Sequence, residues 1–131
     1  DVAFTGIVGT SLVKVFDLQV GITGIGEGQG RSRGMDVAAI TIDAPDVAPY
    51  YPGSRATTVK LTADAQTGRL LGGQVLGRSG VSGRTNVIAT ALHARMTVDE
   101  LAAVDLGYAP PFAPVWDPVL IAANQLRKHT S

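Results

Sequence analysis

The chain has no cysteine, which excludes disulfides, thiolate metal sites and thiol redox chemistry on its own residues. Histidine is nearly absent too. His93 and His129 are the only two, neither has a carboxylate at ligand spacing, and no metal site is expected. Net charge is missing as well: 11 basic residues balance 11 acidic ones, leaving no field to gather nucleic acid or an anionic membrane. No apolar run approaches the roughly 18 residues needed to cross a bilayer, and no charged segment leads into an apolar signal. These absences point to a cytoplasmic protein without nucleic-acid or membrane partners. Charged side chains make up 17% of the sequence, against about 25% in an average soluble domain, so something besides water is expected to cover part of the surface.

What is present fits one domain, since 131 residues lie within the usual size of a single core. "TSLVKVFDL", residues 10–18, is rich in β-branched and aromatic side chains and predicts a strand, as does "DVAAITID", 36–43. In "ATTVKLTADAQTGRLLGGQVLG", Thr58, Lys60 and Thr62 alternate with Val59 and Leu61, which predicts a hairpin with Gly68 at a positive φ. The period then changes. Val87, Ile88, Ala91 and Leu92 form a helical stripe within 82–95, and Thr97 with Glu100 forms a capping box. Asp117 and Pro118 open a last helix as N-cap and first residue, closed by Arg127 and Lys128. Strands followed by helices predict an α+β domain, a mostly antiparallel sheet with helices packed on one face.

Self-sufficient chemistry is hard to find. Gly24, Gly26, Gly28 and Gly30 suggest a phosphate cradle, but no start among them yields Gly-x-Gly-x-x-Gly, and no Gly-Lys-Ser/Thr follows. The stretch predicts a glycine-weakened helix or a flexible connection. No serine occupies a Gly-x-Ser-x-Gly turn. Two proline-bounded segments differ from this background. Tyr50 and Tyr51 stand between Pro49 and Pro52, while Tyr108, Phe112 and Trp116 are spread among Pro110, Pro111, Pro114 and Pro118. Stiff loops of this kind present side chains outward from a scaffold, although from the pattern alone packing or plain surface roles for the tyrosines are the commoner reading.

Four segments, "GTSLVKVFDLQVGITG", "YYPGS", "TGRLLGGQVLG" and "DLGYAPPFAPVWDPVLIAAN", together resemble the C-terminal dimerisation domain of the FAD-dependent pyridine nucleotide-disulfide oxidoreductases. The resemblance spans about residues 6–128, makes 1–131 one domain, and reads 1–8 as the connection from a missing nucleotide-binding domain; Asp1 in place of methionine agrees with a chain cut from something longer. It is strongest to the coenzyme A-disulfide reductase and NADH oxidase branch, through "YAPPF" and the following "DP". The glutathione reductase branch instead carries His-Pro-Thr-x-x-Glu, and here Met96 precedes Thr97 and Glu100, with the histidine and proline missing.

The resemblance implies a homodimer in which Tyr50 and Tyr108 reach the partner subunit's redox centre. Whether Tyr50 or Tyr51 does so stays open in the sequence. It further implies that FAD and NAD(P)H serve the parent enzyme from domains outside this chain, which by itself is expected to bind neither and to be inactive. The acceptor would be a disulfide or persulfide such as coenzyme A disulfide, or oxygen. A stand-alone, self-associating interaction domain derived from such an enzyme is the alternative. Two departures stand out: "IGEGQGRSRG" replaces the family's helix rich in alanine and glutamate, and "GVSGRTNV" lacks the expected charged sequence, leaving a coenzyme A contact through Arg84 to rest on that segment alone.

Overall fold

A computed structural model describes Ala3, Phe4 and residues 6–131. Asp1, Val2 and Thr5, part of the connection expected over 1–8, lie outside the described residues. Five strands, β1 (Ser11–Val15), β2 (Leu18–Gly24), β3 (Val37–Pro45), β4 (Ala56–Asp64) and β5 (Leu70–Gly77), form one sheet. It is antiparallel throughout and ordered β1-β2-β5-β4-β3. The helices are α1 (Glu27–Ser32), α2 (Val81–His93), α3 (Val98–Ala102) and α4 (Pro118–Leu126), the last running into a 3-10 turn at Arg127–His129. The α+β class is the one expected.

Alternation along β4 decides where the core lies. Val59, Leu61 and Ala63 are fully buried on the face that α2 and α4 cover, together with Val75 of β5 and Ile88, Leu101, Val119 and Leu126 of the helices. Each wholly buried leucine or isoleucine contributes roughly 1.5–3 kcal/mol. Thr58, Lys60 and Thr62 point to the opposite face, where α1 lies: Lys60 Nζ is 2.7 Å from Glu27 Oε2, and Thr62 Oγ1 donates to the Ile25 carbonyl at 2.8 Å. The glycine-rich stretch is therefore a short helix pinned from beneath.

Helix α2 approaches β2 and β5 closely because two facing strand positions lack side chains. A Cβ on Gly21 would overlap Thr85, and one on Gly73 would stand 3.0 Å from both Ile88 and Leu61. The predicted β4–β5 turn is present. Asp64 Oδ1 accepts from the N–H groups of Gln66 and Thr67, and Gly68 adopts a φ of 69°.

One expectation is corrected. The single strand read over 10–18 is a hairpin, with Val15 paired to Leu18 across a two-residue turn at Phe16 and Asp17. Phe16 takes a φ of 53°, a region that turn sequences normally fill with glycine or asparagine. Without either residue, the β-branched run reads straight through the reversal. β2 itself, with two glycines in its seven residues, carries little strand signal.

Candidate functional site

Two loops at the ends of unrelated elements make the site. The first, residues 46–55, joins β3 to β4 and is closed at its base by Asp46. The Asp46 N–H donates to the Arg55 carbonyl at 2.8 Å, and the Arg55 N–H donates back to Asp46 Oδ1 at 2.8 Å. Ser79 Oγ donates to the other carboxylate oxygen at 2.6 Å. Burial alone would raise the Asp46 pKa, but the N–H of Arg55, the Ser79 hydroxyl and the Val47 N–H outweigh it and hold the carboxyl below its ordinary value. Above this base the Tyr51 N–H donates to Ala48 and the Ser54 N–H to Tyr51. These successive turns carry Tyr50 at the tip.

The second loop leads from α3 to α4 through the proline-rich aromatic run. Ala109 accepts from the N–H groups of Phe112 and Ala113. Asp117 then ends the loop and starts α4: its side chain accepts from the Val119 N–H at 2.9 Å and its carbonyl from the Ile121 N–H. Phe112, Val115 and Trp116 are exposed. Such a concentration of uncovered apolar side chains on adjoining loops marks an association surface.

One backbone hydrogen bond joins the loops, from the Ala48 N–H to the Pro110 carbonyl at 3.1 Å. Tyr50 lies two residues past Ala48 and Tyr108 two before Pro110, so the bond brings their side chains together. Tyr108 is held above its ordinary pKa first by hydrogen bonding with Tyr50, then by desolvation, then by the charge Tyr50 would carry. It is Tyr50, rather than Tyr51, that meets Tyr108. Both phenols stay open to a partner, Tyr50 being 74% and Tyr108 47% exposed. Its raised pKa keeps Tyr108 protonated at neutral pH, with a hydroxyl able to donate to an anionic sulfur or oxygen.

Arg84 corrects a further expectation. It is 5% exposed and points inward, so it does not offer a coenzyme A contact. Its Nε is 3.1 Å from Asp117 Oδ2 and 3.4 Å from Oδ1, and its Nη2 donates to the Asp46 carbonyl at 2.7 Å. Nη1 is buried with no partner. The sequence did hold a signal for this: Arg84 stands four residues before Ile88, in line with the stripe that α2 buries.

The glycine-rich stretch forms the six-residue helix α1 and lacks the phosphate-binding glycine spacing, so it does not fit a dinucleotide cofactor. Among the described residues no group of three or more His, Asp or Glu side chains could hold a metal ion, and no helix is long and apolar enough to cross a membrane.

Residues 10–118 match the family described as pyridine nucleotide-disulphide oxidoreductase, dimerisation domain. A Pyrococcus horikoshii NAD(P)H coenzyme A polysulfide/persulfide reductase is 41% identical over 124 residues, covering 95% of this chain and 28% of the relative. A Pyrococcus furiosus CoA-dependent NAD(P)H sulfur oxidoreductase is 39% identical over 127 residues, covering 97% and 28%. Among solved structures, an NAD-dependent persulfide reductase from A. fulgidus superimposes with a TM-score of 0.93 at 36% identity, over 98% of this chain and 24% of that one. The chain thus spans about a quarter of the length of these proteins.

Proposed function

Because the chain belongs to the pyridine nucleotide-disulphide oxidoreductase dimerisation domain family, we propose that it pairs two subunits of a larger NAD(P)H-dependent flavoenzyme and completes the partner's active site with Tyr50 and Tyr108. The homodimer interface includes the exposed aromatic loop, and the acceptor is a disulfide or persulfide sulfur. FAD and NAD(P)H, which supply the reducing electrons in this family, are held outside this chain.

The joining of the Tyr50 and Tyr108 loops, nearly sixty residues apart in sequence, by the Ala48 to Pro110 backbone bond is the observation that carries this reading, and the upward pull of Tyr50 on the Tyr108 pKa agrees with it. The pattern of relatives supports the sulfur acceptor. Cleavage of a sulfur–sulfur bond develops negative charge on the departing sulfur. A phenol whose pKa is raised keeps its proton, and Tyr108, whose one hydrogen faces Tyr50 in the resting site, turns it to the departing sulfur as charge develops there. A hydrogen bond to a charged group contributes about 1.5–3 kcal/mol, equivalent to roughly 10- to 150-fold in rate.

Tyr108→Phe in the full-length enzyme is therefore expected to lower turnover with coenzyme A disulfide or a coenzyme A persulfide by roughly 10- to 150-fold. The dimer and the rate of flavin reduction by NAD(P)H should persist. Stopped-flow absorbance separates the two half-reactions. Unaltered turnover in both Tyr108→Phe and Tyr50→Phe would remove these residues from the chemistry, and oxygen consumption without sulfur turnover would replace the acceptor.

A further inference from the structure

The guanidinium of Arg84 touches both tyrosine-bearing loops. Nη2 donates to the Asp46 carbonyl at the base of the first loop, and Nε bonds the Asp117 carboxylate that terminates the second. The two bonds leave from different nitrogens of one rigid plane, so the spacing between Asp46 and Asp117 is fixed by the geometry of a fork. Three residues separate Asp46 from Tyr50, and the turn that carries Tyr50 is closed by the Tyr51 N–H on the Ala48 carbonyl. Asp117 is anchored in turn as the cap of α4. Gly80 makes room for this arrangement, since a Cβ there would stand 2.6 Å from Nη1. Arg84 itself is buried on α2, which rests on the sheet.

We propose that Arg84 is a positioning residue of the sulfur-reducing site, holding the Tyr50 and Tyr108 loops at the separation that lets the two phenols meet. The proposal rests on the reading of those tyrosines given above. Arg84 touches no substrate. It acts by transmitting the rigidity of α2 and the sheet to two side chains on otherwise exposed loops, and small misplacements of a catalytic donor are enough to cost orders of magnitude in rate.

Arg84→Lys in the full-length enzyme tests this. Lysine keeps the positive charge and can reach Asp117 or Asp46, but as a point donor it cannot fix both. Turnover with coenzyme A disulfide is expected to fall about tenfold, with KM, dimerisation and flavin reduction unchanged. The midpoint of Tyr108, followed by NMR of ring-labelled tyrosine in the same protein, should move down toward its ordinary value as contact with Tyr50 loosens. In a Tyr108→Phe background, Arg84→Lys should add no further loss. Losses that multiply instead, or a Tyr108 midpoint that does not move, would overturn the proposal.

The two readings fail separately. If Tyr108→Phe costs no turnover, the catalytic reading falls, yet a downward shift of Tyr108 in Arg84→Lys would still uphold the positioning. Should Arg84→Lys not fold, Asp117→Asn keeps the cap of α4 and removes the charge by which Arg84 holds the second loop, and it must shift Tyr108 in the same direction. No shift would again refute the role.

Discussion

Replacing Asp117 offers the sharpest measure of what holds the aromatic loop in place. Its carboxylate does two things: it caps α4 through the Val119 N–H at 2.9 Å, and it pairs with Arg84 at 3.1 Å where both side chains are largely buried. Loss of an N-cap costs about 1 kcal/mol. Removing one partner of a buried pair costs about 3–5 kcal/mol, because the other charge is left without compensation. Asp117→Ala should therefore destabilise by about 4–6 kcal/mol, a large part of the 5–15 kcal/mol typical of a folded domain. Asp117→Asn keeps a competent cap and removes only the charge, so it should lie about 1 kcal/mol closer to the parent. Urea unfolding followed by circular dichroism, at one fixed protomer concentration, reads both values. A loss below about 1 kcal/mol for alanine would show that Arg84 finds other compensation and would refute the buried-pair reasoning. Asparagine indistinguishable from aspartate would assign the whole cost to the cap.

Three further outcomes follow from the geometry. Gly21→Ala should destabilise by about 1–3 kcal/mol through overpacking against Thr85, with partial recovery on adding Thr85→Ala; thermal melts of the single and double variants check both. Asp46 and Asp64 are both held below their ordinary value of 3.8: burial alone would raise Asp46, but its hydrogen bonds outweigh this, and for Asp64 bonding from Thr67 comes first. Their native values lie below their unfolded ones, so the stability they contribute is complete above pH 3.8 and disappears as pH falls through the native values. Acid titration of Asp64→Asn should accordingly show lower stability at neutral pH but a shallower decline in acid. Phe16→Gly should stabilise the isolated chain by about 1 kcal/mol, because it relieves a left-handed φ at a side chain that is 95% exposed. A lower urea midpoint would mean that the ring makes a stabilising contact in the folded chain.

Where the sequence was legible, the signals were local. Thr97 with Glu100, Asp117 with Pro118, and the Asp64-to-Gly68 turn each satisfy backbone groups within a few residues, and each forms as read. The β1–β2 hairpin was hidden because its reversal depends on a phenylalanine in a glycine conformation. Tyr50 and Tyr108 were legible as exposed loop residues, and resemblance implied their shared destination. Their meeting depends on the hydrogen bond between Ala48 and Pro110, which no local pattern announces. Arg84 was hidden for a related reason. A charged residue on a helix is normally read as solvated, and its burial is explained only by an aspartate thirty-three residues away that the sequence shows as a helix cap.

The strand order has a kinetic consequence. β3, β4 and β5 are joined consecutively by antiparallel connections and can pair through short chain closures, whereas even the shortest β2–β5 closure joins Gly24 to Gly72 across β3 and β4. Closing the longer loop costs more entropy before any contact repays it. The three-stranded meander is thus expected to assemble first, and the β1–β2 hairpin to dock onto its β5 edge afterwards. Mutations in β1 should mainly speed unfolding, while those in the β4–β5 turn should slow folding. In a chain emerging from the ribosome, the first hairpin made would have to wait for the last strand before the sheet could close.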